Sequence, residues 1–187
     1  MNFINRIKNK SNTYKKFLQK YYKQFNNADV LDIGSGNGFS TFILSLLVNK
    51  IYGLEPNINA LKRARKNKKK LNLPNIRFYQ GTAEILPFTR KFNIIRFQNS
   101  IQFTQIVKSL NNAFNILEKD GIIIIRLPYD DFSDPKLNKK HSEFNNELFK
   151  KERHRLRNVI KIIKNYVKND QIIYENLTSY YIIIVKS

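Results

Sequence analysis

The chain has 187 residues, of which 42% are hydrophobic and 13% aromatic, so length and composition favour one folded domain and argue against intrinsic disorder. It contains no cysteine, which excludes disulfides, a thiol nucleophile and thiolate metal sites. The 34 basic and 14 acidic residues give a formal net charge of +20, which favours nucleic acid, anionic membranes or acidic proteins as partners without choosing among them.

The positive charge also has an explanation unrelated to binding. Lys, Asn and Ile are abundant together, as the coding bias of an AT-rich genome would produce. The N-terminus has scattered charges instead of the apolar core of a signal peptide, and no apolar run approaches the length that spans a bilayer. We therefore expect a soluble, intracellular, cytoplasmic protein without a membrane partner.

The first half of the chain predicts alternating helices and strands. In the basic segment 1–28, apolar residues recur at three- and four-residue steps, which predicts an amphipathic helix that packs on the sheet or covers the pocket. The residues of this pattern are Tyr14, Phe17, Leu18, Tyr21, Tyr22 and Phe25. Then follow a strand with a glycine turn at 30–38, a helix at 41–48, a strand at 51–54, a basic helix with Ile58, Leu61 and Ala64 on one face, and strands at 76–79 and 92–97.

The segment 30–38 is the most informative part of the chain, because three alternating glycines follow an apolar strand. Glycine tolerates positive φ and leaves room for a ligand against the main chain, at the carboxyl end of the strand. A dinucleotide fingerprint would need a glycine where this chain has Phe39. Asp32, expected at the mouth of the turn, would repel a pyrophosphate and attract an ammonium or sulfonium group. The turn therefore favours a nucleoside that carries an amino acid.

The second half of the chain predicts two more helices and three strands. A helix pattern ends at Asp120-Gly121 and precedes an apolar strand at 122–127. Its apolar positions are Phe103, Ile106, Val107, Leu110, Phe114 and Leu117. A long loop at 128–140 and a basic helix at 147–167 follow. The strands at 171–175 and 180–185 are separated by too few residues for a parallel crossover, so only a hairpin can join them. This order predicts a parallel sheet, covered on both faces, that ends in an antiparallel pair.

Asp32, Gly34, Gly36 and Gly38 resemble the first motif of the class I S-adenosylmethionine-dependent methyltransferases, and the order of elements resembles their domain nearly end to end. The chain is similar to the small, single-domain, methyltransferase type 11-like members. This resemblance implies a Rossmann-like α/β sandwich in one domain over 1–187, with a mostly parallel seven-stranded sheet and one antiparallel strand near the C-terminal edge. It also implies S-adenosyl-L-methionine as the cofactor.

Two further segments carry the resemblance. Glu55-Pro56, at the end of the second strand, resembles the acid that binds both ribose hydroxyls, with a carboxylate at a helix start as the alternative. Thr82, Ala83 and Glu84 are similar to the segment that covers the adenine, although Thr82 replaces a frequent aspartate and Glu84 has a helix cap or a surface charge as its alternative. We expect Ala83 rather than Thr82 to contact the adenine edge.

The fourth strand and its exit complete the expected site. Phe97, Gln98 and Asn99 would lie beside the methionine part of the cofactor, with a structural turn as the alternative. Asn93 stands where the family commonly has aspartate. The cofactor-binding residues that the resemblance implies are Asp32, Gly34, Ser35, Gly36, Gly38, Glu55, Pro56, Thr82, Ala83, Glu84, Phe97, Gln98 and Asn99.

Methyl transfer from a sulfonium is an in-line displacement with a neutral leaving group, so it needs alignment in a dehydrated pocket and no covalent nucleophile. The sequence identifies no catalytic side chain: His141 and His154 lie outside the motifs. Tyr129 could orient a substrate or shield the sulfonium by a cation–π contact, with a solvated loop as the alternative. No carboxylate cluster occurs at the site, so we predict no metal. The segment 98–100 lacks the two prolines of adenine-amino methyltransferases, which argues against that acceptor.

The acceptor stays open between a small molecule, RNA and a protein. Basic segments lie at 6–23, 62–70 and 150–157; the middle one is interpreted as a solvated helix face, while the other two could flank the pocket and present a nucleic acid. The second hypothesis is a catalytically silent module of the same fold that binds nucleic acid or a protein partner through its basic surface, because Asn93 and Thr82 depart from the family pattern. The sequence does not predict the oligomeric state.

Overall fold

The computed structural model describes residues 20–128, 156–168, 171–177 and 180–186. Within these ranges the helices are α1 (Tyr22–Phe25), α2 (Phe39–Leu44), α3 (Ile58–Leu71), α4 (Ile106–Asn115) and α5 (Leu156–Ile163), and a 3₁₀ turn spans Ile101–Phe103. The strands are β1 (Asp29–Ile33), β2 (Lys50–Glu55), β3 (Ile76–Gln80), β4 (Phe92–Gln98), β5 (Leu117–Pro128), β6 (Ile172–Leu177) and β7 (Tyr180–Lys186). The features predicted within 1–19 and 129–155, which include Tyr129, His141 and His154, lie outside the described residues.

The strands form one seven-stranded sheet in the order β3-β2-β1-β4-β5-β7-β6. Strands β1 to β5 are parallel, and β7 lies antiparallel between β5 and β6. Only two residues separate β6 from β7 in the sequence, which is enough because antiparallel neighbours need only a short connection. The predicted Rossmann-like sandwich, with a mostly parallel sheet and one antiparallel strand near its C-terminal edge, is confirmed.

The apolar core is divided between the two faces of the sheet, because successive side chains of a strand point to opposite faces. On β1, Val30 belongs to the apolar cluster that includes residues of α1, α2 and α3, whereas Leu31 and Ile33 belong to the cluster that includes residues of α4 and α5. In α3, Leu61 and Ala64 are buried as predicted, whereas Ile58, predicted on the same face, is 39% exposed. Full burial of a large aliphatic side chain contributes about 1.5–3 kcal/mol, so these two layers hold the strand ends in fixed positions.

Several element boundaries differ from the sequence-based expectation, among them those of α2 and β5. Helix α2 begins at Phe39 and ends at Leu44 instead of spanning 41–48. The turn predicted at Asp120-Gly121 lies inside β5, because β4 and β5 already pair at Phe92 and Leu117 and their register then shifts. Asp120 accommodates this irregularity with a φ of 63°.

The burial of two side chains in the second half also differs from the prediction. Phe103 belongs to the 3₁₀ turn instead of α4 and is 45% exposed, and Val107 is 52% exposed. The buried face of α4 contains Ile106 and Leu110, and Val107 points about 100° away from Ile106 around the helix. The basic helix predicted at 147–167 is described from residue 156 onward, and there α5 ends at Ile163, so residues 164–167 lie outside the helix. None of the described helices combines the length and apolar composition needed to cross a bilayer.

Candidate functional site

A cleft of about 240 Å³ opens where β1, β2 and β4 end and where the loop after β3 begins. Its walls are Ile33, Gly34, Glu55, Pro56, Gly81, Thr82, Ala83, Glu84, Asn99, Ser100, Phe103 and Thr104. The parallel register brings these segments together, because Ile33 pairs with Leu54 on one side and with Phe97 on the other. The predicted site residues in these walls are Gly34, Glu55, Pro56, Thr82, Ala83, Glu84 and Asn99. Those outside the walls are Asp32, Ser35, Gly36, Gly38, Phe97 and Gln98.

The three glycines of the turn all have positive φ, at 77°, 57° and 84°, but they are needed for different reasons. A Cβ on Gly34 would lie 2.3 Å from the Cβ of Ser100, and a Cβ on Gly38 would lie 2.6 Å from the ring of Phe42. Among the described residues, nothing lies within 4 Å of a Cβ built on Gly36. Gly34 and Gly38 therefore permit packing within the protein, and only Gly36 leaves open space of the kind a ligand needs.

Glu55 ends β2, and two main-chain amides hold its half-buried carboxylate. Oε2 accepts a hydrogen bond from Gly36 N at 2.9 Å, and Oε1 accepts one from Asn57 N at 3.0 Å. Asn57 in turn caps α3 by accepting from the N–H groups of Asn59 and Ala60. Glu55 thus joins the glycine turn to the start of α3, as the helix-start alternative predicted, while its side chain borders the cleft. A carboxylate oxygen with one donor keeps a lone pair for a second.

The loop after β3 is fixed by α4. Asn112 Nδ2 donates to the carbonyl oxygens of Ala83 and Glu84 at 3.0 Å and 2.9 Å. Glu84 Oε1 accepts a hydrogen bond from Gln105 N at 2.8 Å, at the N-cap position of α4, so the capping alternative describes its side chain. Ala83 is 2% exposed, whereas Thr82 is exposed. Contact between Ala83 and an adenine stays a prediction.

Asp32 does not lie at the mouth of the turn. Its side chain is 0% exposed, and Arg96 binds both of its oxygens, with Nε to Oδ1 at 2.9 Å and Nη2 to Oδ2 at 2.7 Å. Thr41 Oγ1 also donates to Oδ2, at 2.6 Å. Strand alternation explains this position, because Asp32 points to the same face as Val30, which α2 covers. The expected attraction between Asp32 at the mouth and a ligand cation is therefore corrected: the carboxylate lies beneath the turn and is already paired.

Arg96 is a residue of this region that the sequence-based site omitted. It lies in β4 in register with Asp32, is 3% exposed, and also donates to Ser40 Oγ at 3.1 Å. Its bidentate pairing cancels the charge of Asp32 by the geometry in which arginine binds carboxylates most strongly. The available signal was a basic residue within the otherwise apolar segment 94–97, since an arginine that is buried needs an acidic partner.

The exit of β4 contributes one of its three predicted residues to the cleft. Phe97 is fully buried in the apolar core, and Gln98 is not among the residues that line the cleft. Contact between either residue and a cofactor stays a prediction. Asn99 has a φ of 54°, and its N–H donates to the carbonyl oxygen of Arg126 at 3.0 Å. Its Oδ1 is buried and has no hydrogen-bond partner among the described residues, and the same holds for Ser35 Oγ.

Asn93 lies at the opposite end of β4 from the cleft. Its Oδ1 accepts a hydrogen bond from Asp29 N at 2.9 Å, and the strand between Asn93 and Gln98 is about 16 Å long. The replacement of the family's common aspartate therefore does not change the cleft. Within the described ranges, no group of three His, Asp or Glu side chains could hold a metal ion, and the absence of a metal from the reaction stays a prediction.

Comparison with known proteins bears on what this cleft does. A family profile described as "Methyltransferase domain" matches residues 24–178. The uncharacterized methyltransferase YcgJ of Bacillus subtilis (strain 168) is 31% identical over 98 residues, which cover 51% of this chain and 39% of that protein. The match therefore spans about two fifths of the length of this relative.

Solved structures share the fold. A SAM dependent methyltransferase from Aquifex aeolicus has a TM-score of 0.69 and 16% identity, over 91% of this chain and 88% of that one. The protein SMU.1697c from Streptococcus mutans, whose structure is a complex with SAH, has a TM-score of 0.63 and 15% identity, over 95% and 99% of the two chains. At these identities the similarity shows a common fold.

Proposed function

Since the chain belongs to the methyltransferase domain family, we propose that it binds S-adenosyl-L-methionine in the cleft and transfers the methyl group to an acceptor. One observation carries the proposal: Glu55 accepts a hydrogen bond from Gly36 N, beside a bend where nothing described lies within 4 Å of an added Cβ. A carboxylate oriented by main-chain amides, next to exposed main chain, suits a ribose with neighbouring polar groups.

The cleft, together with the adjoining bend at Gly36, offers a partner for each part of this cofactor. We assign the ribose hydroxyls to Glu55, the adenine to the loop 82–84, and the amino-acid part to the bend at Gly34 and Gly36. Asn99 supports the fit, because its buried Oδ1 has no partner among the described residues. An unsatisfied buried acceptor costs about 1–3 kcal/mol, so a ligand donor at this position would stabilise the complex.

The bound cofactor would supply a methyl group on a positively charged sulfur. The chain would hold donor and acceptor in line and exclude water, which requires no covalent nucleophile. Asp32 and Arg96 would support the turn from beneath without touching the ligand. The acceptor stays open between a small molecule, RNA and a protein, because no contact in the described part of the chain selects among them.

Isothermal titration calorimetry with S-adenosylmethionine and S-adenosylhomocysteine tests the cofactor proposal. We expect Glu55→Gln to weaken both ligands roughly tenfold or more, because a hydrogen bond to a charged group contributes about 1.5–3 kcal/mol. Glu118→Gln is the matched control, since it makes the same change near the other end of the sheet and should alter affinity by roughly twofold or less. An absence of binding by the wild type, or equal affinity after Glu55→Gln, would contradict the proposal.

Transfer of a labelled methyl group separates the enzyme from the catalytically silent module. The wild-type protein, labelled cofactor, and RNA, protein and metabolite fractions are incubated together, and the label is counted in each fraction. We expect incorporation into one fraction that Glu55→Gln reduces roughly in proportion to its loss of cofactor affinity. Tight cofactor binding without incorporation into any fraction would favour the silent module.

A second candidate function, nucleic-acid binding, is favoured by the charge pattern of α3. We define the α3 stripe as five of the six exposed cations of this helix, Lys62, Arg63, Lys66, Lys69 and Lys70. The sixth, Arg65, donates a hydrogen bond to the carbonyl oxygen of Phe78. At 100° per residue these side chains fall within an arc of about 120°, on the face opposite the buried Leu61 and Ala64. No Asp or Glu occurs between Glu55 and Glu84, so this part of the chain carries no carboxylate to neutralise the stripe.

The composition of the α3 stripe fits nucleic acid better than a protein or a membrane. Lysine is depleted from protein interfaces, whereas interfaces with nucleic acid are strongly basic. The apolar residues Leu61 and Ala64 are 0% exposed, so this part of α3 has no apolar face to insert into a bilayer. We therefore propose that the stripe contacts nucleic-acid phosphates, independently of the cofactor.

The salt dependence of binding to a mixed-sequence RNA, measured by fluorescence anisotropy, tests this role. Replacing Lys62, Lys66 and Lys69 by Ala should reduce the slope of log affinity against log salt by about 0.7–0.9 per lost phosphate contact. The matched control replaces the exposed Lys161, Lys164 and Lys168, which removes the same charge elsewhere. Equal slopes for both triple variants would assign the binding to net charge instead of the α3 stripe.

A further inference from the structure

The charges of Asp32 and Arg96 cancel each other directly beneath the cleft. The two side chains are 0% and 3% exposed, and Asp32 immediately precedes Ile33 and Gly34, which belong to the cleft walls. Thr41 and Ser40 provide hydroxyl partners for the carboxylate and the guanidinium. The pair therefore contributes no net charge to the base of the cleft, although it places a full negative and a full positive charge there.

We propose that Arg96 sets how strongly the cleft distinguishes a positively charged sulfonium ligand from the neutral thioether that remains after methyl transfer. The inference rests on the proposed cofactor. An unpaired Asp32 would attract the sulfonium and favour the donor over the product. Paired with Arg96, it favours neither by charge. The other carboxylates of the cleft, Glu55 and Glu84, are oriented by main-chain amides and are the same in every variant considered below.

The size of the effect follows from Coulomb's law. Two unit charges on the order of 10 Å apart, at an effective dielectric of about 20 to 40, change an affinity about four- to fifteenfold. S-adenosylmethionine and S-adenosylhomocysteine share adenine, ribose and amino-acid groups and differ by the methyl group and the charge on sulfur. Their ratio of dissociation constants therefore reports the charge of the cleft, whereas damage to the turn weakens both ligands alike.

Calorimetry with both ligands on a set of charge variants tests the proposal. The preference for the sulfonium should rise in Arg96→Met, by up to about fifteenfold where the Asp32 carboxylate stays ionised without its cation. It should fall by a similar factor in Asp32→Asn, which removes the negative charge opposite Arg96. The double variant Asp32→Asn/Arg96→Met is neutral again and should return to within about twofold of the wild type. Arg96→Lys keeps the charge but loses the bidentate fork, so it should weaken both ligands and leave their ratio unchanged.

The set of variants stays informative if one of them fails to fold. Without Arg96→Met, the comparison of Asp32→Asn with the double variant still measures the effect of one uncompensated charge. Equal ratios across the folded variants would overturn the proposal and assign Arg96 a structural role only. A wild-type protein that binds neither ligand would instead contradict the proposed cofactor, so the two failures are distinguishable.

Discussion

Strand β1 carries an ion pair at each end, and the two pairs differ in burial and in what surrounds them. At its start, the side chains of Asp29 and Arg90 are 15% and 42% exposed. Near its end, those of Asp32 and Arg96 are 0% and 3% exposed. Both are Asp–Arg ion pairs, but they should affect the free energy of unfolding differently. Exposed pairs contribute about 0–1 kcal/mol, whereas breaking a buried pair costs about 3–5 kcal/mol.

The exposed pair is supported by aromatic rings and neutral hydrogen-bond partners. The guanidinium of Arg90 lies 4.9 Å from the ring centroid of Tyr52 and 5.3 Å from that of Phe92, and Nη1 donates to Tyr52 Oη at 2.5 Å. The contacts of the buried pair are instead polar and charged, and they join β1 to β4 and α2. The comparison teaches that only the buried pair links the elements beneath the cleft, so only its loss should affect both stability and ligand binding.

The largest expected effect is that of Arg96→Met on stability. The substitution leaves the 0% exposed carboxylate of Asp32 without its cation, and we expect the free energy of unfolding to fall by about 3–5 kcal/mol. Urea denaturation followed by far-UV circular dichroism measures this change. A loss below about 1 kcal/mol would show that the pair behaves like an exposed one.

Removing the second charge should recover much of that loss. Replacing both members of a buried pair by uncharged groups is often close to neutral, so Asp32→Asn/Arg96→Met should be more stable than Arg96→Met alone. We expect a coupling energy of about 2–3 kcal/mol from the double-mutant cycle. Additive losses would mean that the two side chains stabilise the fold separately, through packing.

The buried pair also shows what the sequence alone can and cannot predict. The glycine turn and Glu55 were recognisable because their signals are local: glycine spacing after an apolar run, and an acid at the end of the next strand. The partner of Asp32 was not, because Arg96 lies 64 positions away on a different strand. In addition, β1 and β4 are buried on both faces, so their apolar runs hide the alternation that would have placed Asp32 under α2.

The same limit applies at the exit of β4 and in α4. Phe97 is the last apolar residue of a run that is buried on both faces, so its sequence context does not tell core from cleft, and the structure assigns it to the core. Phe103 fits the helical spacing of α4, but α4 begins only after a 3₁₀ turn and the side chain is 45% exposed. Tertiary packing determines whether these two side chains are buried, whereas the periodicity of apolar residues was sufficient to predict the order of helices and strands.

Asp32 and Asp29 each accept a hydrogen bond from an uncharged side chain, and removing either donor should have a smaller effect on stability than removing the arginine that pairs with the same carboxylate. Thr41→Val removes the hydroxyl that donates to Asp32 at 2.6 Å, and we expect it to lower the free energy of unfolding by about 1–3 kcal/mol, because the acceptor is buried. Asn49→Ala removes the amide that donates to Asp29 at 2.7 Å in exposed surroundings, and we expect about 0.5 kcal/mol or less. Chemical denaturation of both variants checks the order, and equal losses would contradict it.

Arg90→Met should have the smallest effect of the charge changes. Met keeps apolar contact with the rings of Tyr52 and Phe92 but removes the charge that faces Asp29. We expect a loss of about 0–1 kcal/mol in the free energy of unfolding. The loss should shrink when the measurement is repeated at about 1 M salt, where the Debye length is about 3 Å.

The salt dependence distinguishes the two ends of β1 independently of the size of each loss. Solvent ions screen the 42% exposed guanidinium of Arg90 but do not reach the 3% exposed guanidinium of Arg96. The loss caused by Arg96→Met should therefore be nearly the same at low and high salt. If Arg90→Met instead caused a salt-independent loss of about 3 kcal/mol, burial would not be what separates the pairs, and Arg90 would have to be counted with the residues that fix the sheet beneath the cleft.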